Sequence, residues 1–495
     1  MKKKLKYSVF TLLLFALVST SCKDYIEIPP ENTLPVLGID YTITADSYKP
    51  VAGIYSSLNV NMGWWITFAA LAIRSDDVEK GSPSPTDQQQ LTDLHNFNYV
   101  GADNYWLLEL SWTGAYQVII DANLALIALD KYKEAAKQQT DKDQIDQYKG
   151  EVRFIRSYAY FVLYRLFGDV PLFTKNGEDA AYKKTKFEDI IKFIENEMDT
   201  CYTVLPKVHP KDMPHKGAGS AYSALALKAK AAADILDYDA ILSATETIIN
   251  SGKFDLYPDF INLFNREGRL CEENLFEMQY SNLNQSSGDA TNDDAWFDFQ
   301  GPAQPFSSKK KFNGENLSGG WGFAPPTQKI VDFLTSRNDT TRIKVTIMKV
   351  GEVTYGGDTL LATSTPYPTM YNGKAYVPST QIEDGRNRYG SGNNVRVFRY
   401  ADILLLNAEA KVGKSQNGDA SLNKVRDRVG LPEIINATME QILDERRAEL
   451  AMEWGEHYYD LVRTGKAADQ LPGWSADKRF YPIPLSQIDL NPNLE

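Results

Sequence analysis

Helical periodicity runs through this chain on both sides of a block that lacks it, and that division constrains the fold more than any single motif. The stretch "NYWLLELSWTGAYQVIIDANLALIALDKY" (104–132) carries Leu108, Trp112, Tyr116, Ile119 and Asn123-Leu124 on one helical stripe. "GEVRFIRSYAYFVLYRLFGDVPLF" (150–173) predicts a second long helix, stopped by Gly168 and Pro171. A third covers 186–206 and ends at Pro206. Two more, 220–236 and 239–252, are joined by a tight turn. That last pair echoes at 399–431, where an Ala- and Leu-rich helix again precedes one opening Asp-Ala-x-Leu. Asp239-Ala240-Ile241-Leu242 matches Asp419-Ala420-Ser421-Leu422. Each Asp suits an N-cap, and the small Ala behind it lets two helices approach closely.

Helix pairs of this length resemble tetratricopeptide repeats, which stack to bury their apolar faces. Between the two echoes the composition changes. From 253 to 396, Gly, Asn, Ser, Thr and Tyr rise and the helical period fades, as in "TYGGDTLLATSTPYPTMYNGKAYVPST" (354–380). The expected fold is therefore mostly α: a tetratricopeptide-like helix-pair scaffold, an α superhelix, with an irregular loop-rich insert carrying short strands. Its parts are an N-terminal helical part (40–252), the insert (253–396) and a C-terminal helical part (397–495). Loops held by a rigid frame are where binding residues concentrate, so the insert is expected to carry ligand contacts.

The chain opens with a separate signal. Lys2, Lys3, Lys4 and Lys6 precede an apolar run from Val9 to Val18 that is too short to span a bilayer. Ser19-Thr20-Ser21-Cys22 then resembles a bacterial lipobox, with Ser19 where Leu is usual. Residues 1–21 read as a lipoprotein signal peptide, Cys22 as the lipidated new N-terminus, and 22–39, with Pro29, Pro30 and Pro35, as its tether. Several acyl chains, at ~0.8 kcal/mol per buried methylene, hold such a protein on a membrane. Without the four leader lysines the formal charge moves from −12 to −16, which argues against nucleic acid and anionic membrane surfaces as partners. Beyond Cys22, only Cys201 and Cys271 remain; an oxidising compartment would allow them to pair, but a chain of this size needs no staple, so two buried free thiols are the expectation.

Several segments, in order, look like landmarks of the SusD/RagB family: "RFIRSYAYFVLYRLFGDVPL" (153–172), "GGWGFAPPTQKIVDFL" (319–334), "VFRYADILLLNAEA" (397–410), "LNKVRDRVGL" (422–431), "ILDERRAELAMEWGEHYYDLVRTGK" (442–466) and "YPIPLSQIDLNPNL" (481–494). The lipobox followed by "DYIEIPPEN" is similar to the family's start. The resemblance covers essentially the whole chain. It implies an outer-membrane lipoprotein facing outward that captures oligosaccharides and caps a SusC-like TonB-dependent transporter. The alternatives are a binder of peptide or another nutrient on the same machinery, and a surface glycosidase.

Nothing in the residues argues positively for an enzyme. Glu445, Glu449 and Glu453 lie four apart on one helical face, whereas glycosidase carboxylates flank a substrate from two sides. Arg446 and Arg447 beside them would hold them ionised, so a structural ion-pair network is expected. His95, His209, His215 and His457 lack metal-ligand spacing, and no phosphate loop or nucleophile elbow appears. No cofactor and no metal are expected.

The aromatic residues are the better lead. Trp112, Trp454 and Tyr158 sit in helical stripes and read as core. Trp64, Trp65, Trp106, Trp296 and Trp321 lie in or beside polar, irregular segments. A sugar offers an apolar C–H face for stacking and a rim of hydroxyls that needs polar partners. "IRSDDVEKG" supplies Arg74, Asp76 and Asp77, and "GADNYW" supplies Asp103 and Asn104 before Trp106. The resemblance implies a polar ligand contact in the former segment and aromatic contacts near the latter and near Gly-Trp-Gly. The expected ligand-binding set is Trp321, Trp296, Trp106, Asn104, Arg74, Asp76, Asp77 and Trp65.

Overall fold

The computed structural model describes residues 38–63, 65–82, 84, 86–177, 182–280, 295–303, 305–307, 317–318, 320–361, 368–381 and 392–495. Cys22, Trp64 and almost all of the tether lie outside them. The first half is helical: α1 (Lys49–Met62), α2 (Trp65–Ala72), α3 (Gln89–His95), α4 (Trp106–Ala135), α5 (Gln139–Phe167), α6 (Phe187–Val204), α7 (Ala221–Ala233) and α8 (Tyr238–Asn250). The C-terminal part adds α12 (Tyr400–Gly413), α13 (Asp419–Arg428), α14 (Met439–Leu450) and α15 (Glu456–Arg463). Between them lie three short helices, α9 (Ala295–Gln300), α10 (Gln328–Ser336) and α11 (Thr340–Thr346).

Each helix packs on the next: α4 on α5, α5 on α6, α6 on α7 and α7 on α8. The series then skips the insert and continues from α8 to α12, which packs on α13 and α14. This serial stacking of helix pairs is the mostly α scaffold that the periodicity implied. The ends of the insert are drawn together by β1 (Asn274–Met278), which pairs antiparallel with β2 (Val395–Arg399) immediately before α12. Among the described residues α4 alone is long and apolar enough to cross a membrane, but most of it is packed inside the protein, as befits a core helix.

Local details differ from the sequence reading where polar residues misled it. Helix α5 starts eleven residues before Gly150, because Gln139–Lys149 is polar without being irregular. Its end is as expected: Gly168 sits at φ +72° and a Cβ there would lie 2.6 Å from the Phe480 ring. The paired aspartates are not the N-caps. Asp237 caps α8 by accepting from the Ala240 N–H. Asp419 is the first residue of α13, and its carboxylate accepts from the N–H groups of Asn436 and Ala437, tying down the approach to α14. Cys201 and Cys271 are both buried and free.

Glu445, Glu449 and Glu453 of α14 and the turn after it form the expected ion-pair network, though with other partners. Glu449 meets Arg342 at 2.9 Å, Arg399 at 2.8 Å and also Arg428. Glu445 pairs with Arg342 and Arg426, and Glu453 with Arg399 and Lys374. Burial alone would raise the Glu449 carboxyl, but Arg428, Arg342 and Arg399 outweigh it and hold it well below the ordinary range. Arg446 turns away to Asp402 and Asp460, and Arg447 to Asp77. The network thus ties the insert, through Arg342 and Lys374, to the C-terminal scaffold.

A second buried carboxylate gives the fold a pH dependence of its own. Glu151 in α5 accepts hydrogen bonds from the Tyr55 hydroxyl of α1 at 3.0 Å and from Tyr48, just before α1, at 3.3 Å. Among the described residues no cation pairs with it, and burial pushes its carboxyl up to about 7. A carboxyl raised on folding contributes stability that is fully present below its unfolded value near 4.5 and is lost as pH rises through 7. The shift corresponds to about 3 kcal/mol. Glu151→Gln is therefore expected to match wild type near pH 4.5 and to exceed it by up to about 3 kcal/mol at pH 8. Urea unfolding at the two pH values checks this, and a constant difference between the proteins would contradict it.

Candidate functional site

Three of the singled-out tryptophans converge at one end of α2 and α4. Trp65 opens α2 and is 8% exposed. Its indole stacks on Phe299 of α9, with centroids 4.7 Å apart at 15°, and Phe299 in turn stacks on Phe323 at 4.9 Å and 3°. Trp106, the first residue of α4, meets Trp65 edge-on at 5.7 Å and 73°. Trp321 meets the same ring edge-on at 5.8 Å and 88°. Trp65 thus forms a rigid floor, while Trp106, 41% exposed, and the half-buried Trp321 stand on it.

The backbone explains why Trp321 is placed so firmly in a glycine-rich segment. The Trp321 N–H donates to the Asp298 carbonyl at 2.6 Å, Gly322 to Gly301 at 2.9 Å, and Phe323 to Phe299 at 2.8 Å. This strip lies so close to α9 that a Cβ at Gly320 would be 2.0 Å from the Asp298 carbonyl oxygen. On its other side, the Ser82 N–H donates to the Gly322 carbonyl at 2.7 Å. There Gly81, at φ +70°, leaves no room for a side chain. Glycine here permits close packing of backbone and does not signal a loose loop.

Polar groups border the platform at Trp106. Asn104 is exposed, with its Nδ2 donating to the Asp103 carboxylate at 3.0 Å. The hydroxyl of Tyr105 donates to Asp93 at 2.9 Å and fixes the entry to α4. The exposed Asn104 amide and the partly exposed Asp103 carboxylate beside Trp106 can satisfy hydroxyl groups of a ring stacked on the aromatics.

The remaining sequence candidates lie elsewhere. Trp296 is not on a loop: it belongs to α9, is 6% exposed, and packs against Phe68 at 5.3 Å and Trp454 at 6.2 Å. Arg74 is 1% exposed, wedged between the rings of Tyr458 and Tyr481 at 4.3 and 4.1 Å. Its guanidinium donates to the Arg479 and Arg165 carbonyls and the Tyr458 and Tyr459 hydroxyls, so no edge of it faces solvent. Asp77 is buried and accepts from Arg447 Nε and Nη2 at 3.0 and 2.6 Å. Asp76 meets Lys329 Nζ at 2.8 Å and His457 Nε2 at 3.2 Å. Burial would raise the Asp76 carboxyl, but His457, Arg447 and Lys329 prevail and hold it well below the ordinary range. These charged residues pair to join α2 to α10 and α14. Among the described residues, Asp76, Asp77 and His457 are also the group whose ligand atoms gather as closely as a metal site would require. The cations Arg447 and Lys329 already neutralise both carboxylates, which is the wrong setting for a metal ion.

Sequence reasoning missed Phe299 and Phe323, which buttress Trp65. The only available signal was the spacing of Phe323 in Gly-Trp-Gly-Phe; Phe299 reads as one more aromatic in a polar stretch.

Comparison with known proteins agrees with this architecture. Residues 272–475 match the model of the SusD family, and residues 71–227 match a second one described as "Starch-binding associating with outer membrane". The chain is 26% identical to SusD-like protein P38 of Formosa agariphila, over 100% of this chain and 99% of that one. It is 23% identical to a SusD-like protein of Bacteroides ovatus, over 93% and 82%. Its fold is similar to that of a laminarin binding SusD-like protein, with a TM-score of 0.77 at 23% identity over 90% of this chain and 97% of that one. It is also similar to surface glycan-binding protein A from Bacteroides thetaiotaomicron in complex with laminarihexaose, with a TM-score of 0.73 at 23% identity over 91% and 98%.

Proposed function

The chain belongs to the SusD/RagB family, and from that premise we propose that it is a cell-surface lipoprotein that captures oligosaccharides and delivers them to a SusC-like TonB-dependent transporter of the outer membrane. The observation that carries the ligand class is the aromatic platform of Trp65, Trp106 and Trp321. The exposed Trp106 and the half-buried Trp321 stand on a third indole that is stacked and buried, which suits the flat C–H face of a pyranose. Asp103 and Asn104 provide the polar partners. A relative whose solved structure holds laminarihexaose supports a β-glucan as the first ligand to test. Attachment through acyl chains on Cys22 and partnership with the transporter follow from the family premise and from the lipobox. The proposal assigns no catalysis. The clustered carboxylates of α14 are buried and ion-paired, so none is free to act as an acid or nucleophile on a surface-bound glycan.

Trp321→Ala tests the reading. Removing one stacked indole is expected to weaken laminarihexaose binding by about 1–2 kcal/mol, roughly 5- to 30-fold in Kd. The half-buried ring is held from its backbone, so the melting temperature should change little. Titration calorimetry paired with thermal unfolding separates the outcomes. A large drop in melting temperature with unaltered affinity would mean that Trp321 is a packing residue and that the site lies elsewhere.

A further inference from the structure

We propose that the oligosaccharide site continues beyond the tryptophans, along a groove between α1 and α4 that selects for longer chains; this rests on the reading of Trp106 and Trp321 as sugar-stacking residues. The groove has a volume of about 290 Å³ and is lined by Val60, Asn61, Ile66, Leu110, Thr113 and Gln117. It starts where the platform stops. Ile66 follows Trp65 in α2, and Leu110 lies one turn beyond Trp106 on the same face of α4, with Thr113 and Gln117 on the next turns. From Trp106 to Gln117 the axis runs ~16 Å, room for roughly three further pyranose rings.

The lining suits a sugar chain. Leu110 is 46% and Val60 60% exposed, so both offer aliphatic cover to a ring face while standing open to solvent. Two amides accompany them, each oriented by a bond at its NH2 end: Gln117 Nε2 donates to Asp121 at 2.8 Å and Asn61 Nδ2 to the Ser57 carbonyl at 2.9 Å. Among the described residues nothing donates to their carbonyl oxygens, which can accept from hydroxyls. The two helices that form the walls are in close contact. At Gly114, α4 lies against α1 so closely that a Cβ would be 2.6 Å from the Asn61 carbonyl oxygen. An open groove with mixed aliphatic and amide walls, next along α2 and α4 to an aromatic platform, fits a hydroxyl-rich polymer better than an apolar peptide segment.

The experiment measures affinity for laminari-, cello- and malto-oligosaccharides of increasing length on the mature protein by titration calorimetry. Wild type is expected to tighten by about tenfold once the chain outgrows the platform. In Leu110→Glu and Gln117→Ala, the ratio of long-chain to short-chain affinity should fall about five- to tenfold, with melting temperatures retained. Trp321→Ala should lower both affinities together and keep the ratio. A length-independent wild-type affinity, or groove variants that weaken short and long chains alike, overturns the extension while leaving the platform intact. Failure of wild type to bind any of the three series overturns both. Loss of a co-purifying outer-membrane protein from Leu110→Glu, with long-chain affinity unaltered, would make the groove a protein seat and also overturn the proposal.

Discussion

Glu449→Ala is expected to lose at least about 3–5 kcal/mol of folding stability, the range typical of breaking a buried ion pair from one side. The carboxylate is wholly buried and in contact with Arg342, Arg399 and Arg428. Removing it leaves three guanidinium groups in a low-dielectric interior with less counter-charge and no added solvent. Glu453 and Asp339 compensate only in part, since each is already engaged. For a protein whose total stability is of the order of 5–15 kcal/mol, such a loss unfolds a large fraction near physiological temperature. Asp239→Ala is the control. Asp239 is 83% exposed in its pair with Lys414, so its loss should fall within about 1 kcal/mol. Chemical unfolding of the three proteins measures the difference, and a Glu449→Ala midpoint as close to wild type as the control's would refute the structural role of the network.

Arg74→Ala is the second large effect, and it bears on function because the sequence places Arg74 among the candidate sugar ligands. The structure makes it a core cation held by two carbonyls, two phenols and two aromatic faces. Truncation opens a cavity and removes the donor to the Arg165 carbonyl and the Tyr458 and Tyr459 hydroxyls, while the Arg479 carbonyl keeps the Tyr458 hydroxyl. The expected cost is about 3–5 kcal/mol. Glycan affinity, measured on the folded protein at low temperature, should stay within about twofold of wild type, because no part of the guanidinium reaches the platform. A variant that melts normally but binds several-fold more weakly would return Arg74 to the site.

The contrast between Arg74 and Trp106 marks what was legible. Both stand beside irregular, polar stretches and both look available to a ligand. Burial separates them, and it depends on Tyr458, Tyr459 and Tyr481, which arrive from the far end of the chain. Trp296 illustrates the same point from the other side. Its polar flanks suggested a loop, yet α9 folds onto α2 and encloses it between Phe68 and Trp454.

The sequence by itself determined the helices, because each long apolar stripe at a 3.6-residue period can be buried in only one way, and it determined their serial packing, because pairs joined by short turns must lie side by side. It also set Trp64, Trp65, Trp106, Trp296 and Trp321 apart from the tryptophans of the helical stripes, but the same signal covered Trp65 and Trp296, which the fold buries. What only the tertiary structure decided is which polar and aromatic residues meet. Trp106 and Trp321 share a floor because the insert folds back across α2, with its glycines pressed against α9 and the Gly81 turn. Asp76 and Asp77 became structural because α10 and α14 bring Lys329 and Arg447 to them. Periodicity is a property of neighbouring residues and survives in the linear chain; charge pairing and ring contacts are properties of distance in space, and over hundreds of residues only the folded backbone sets that distance.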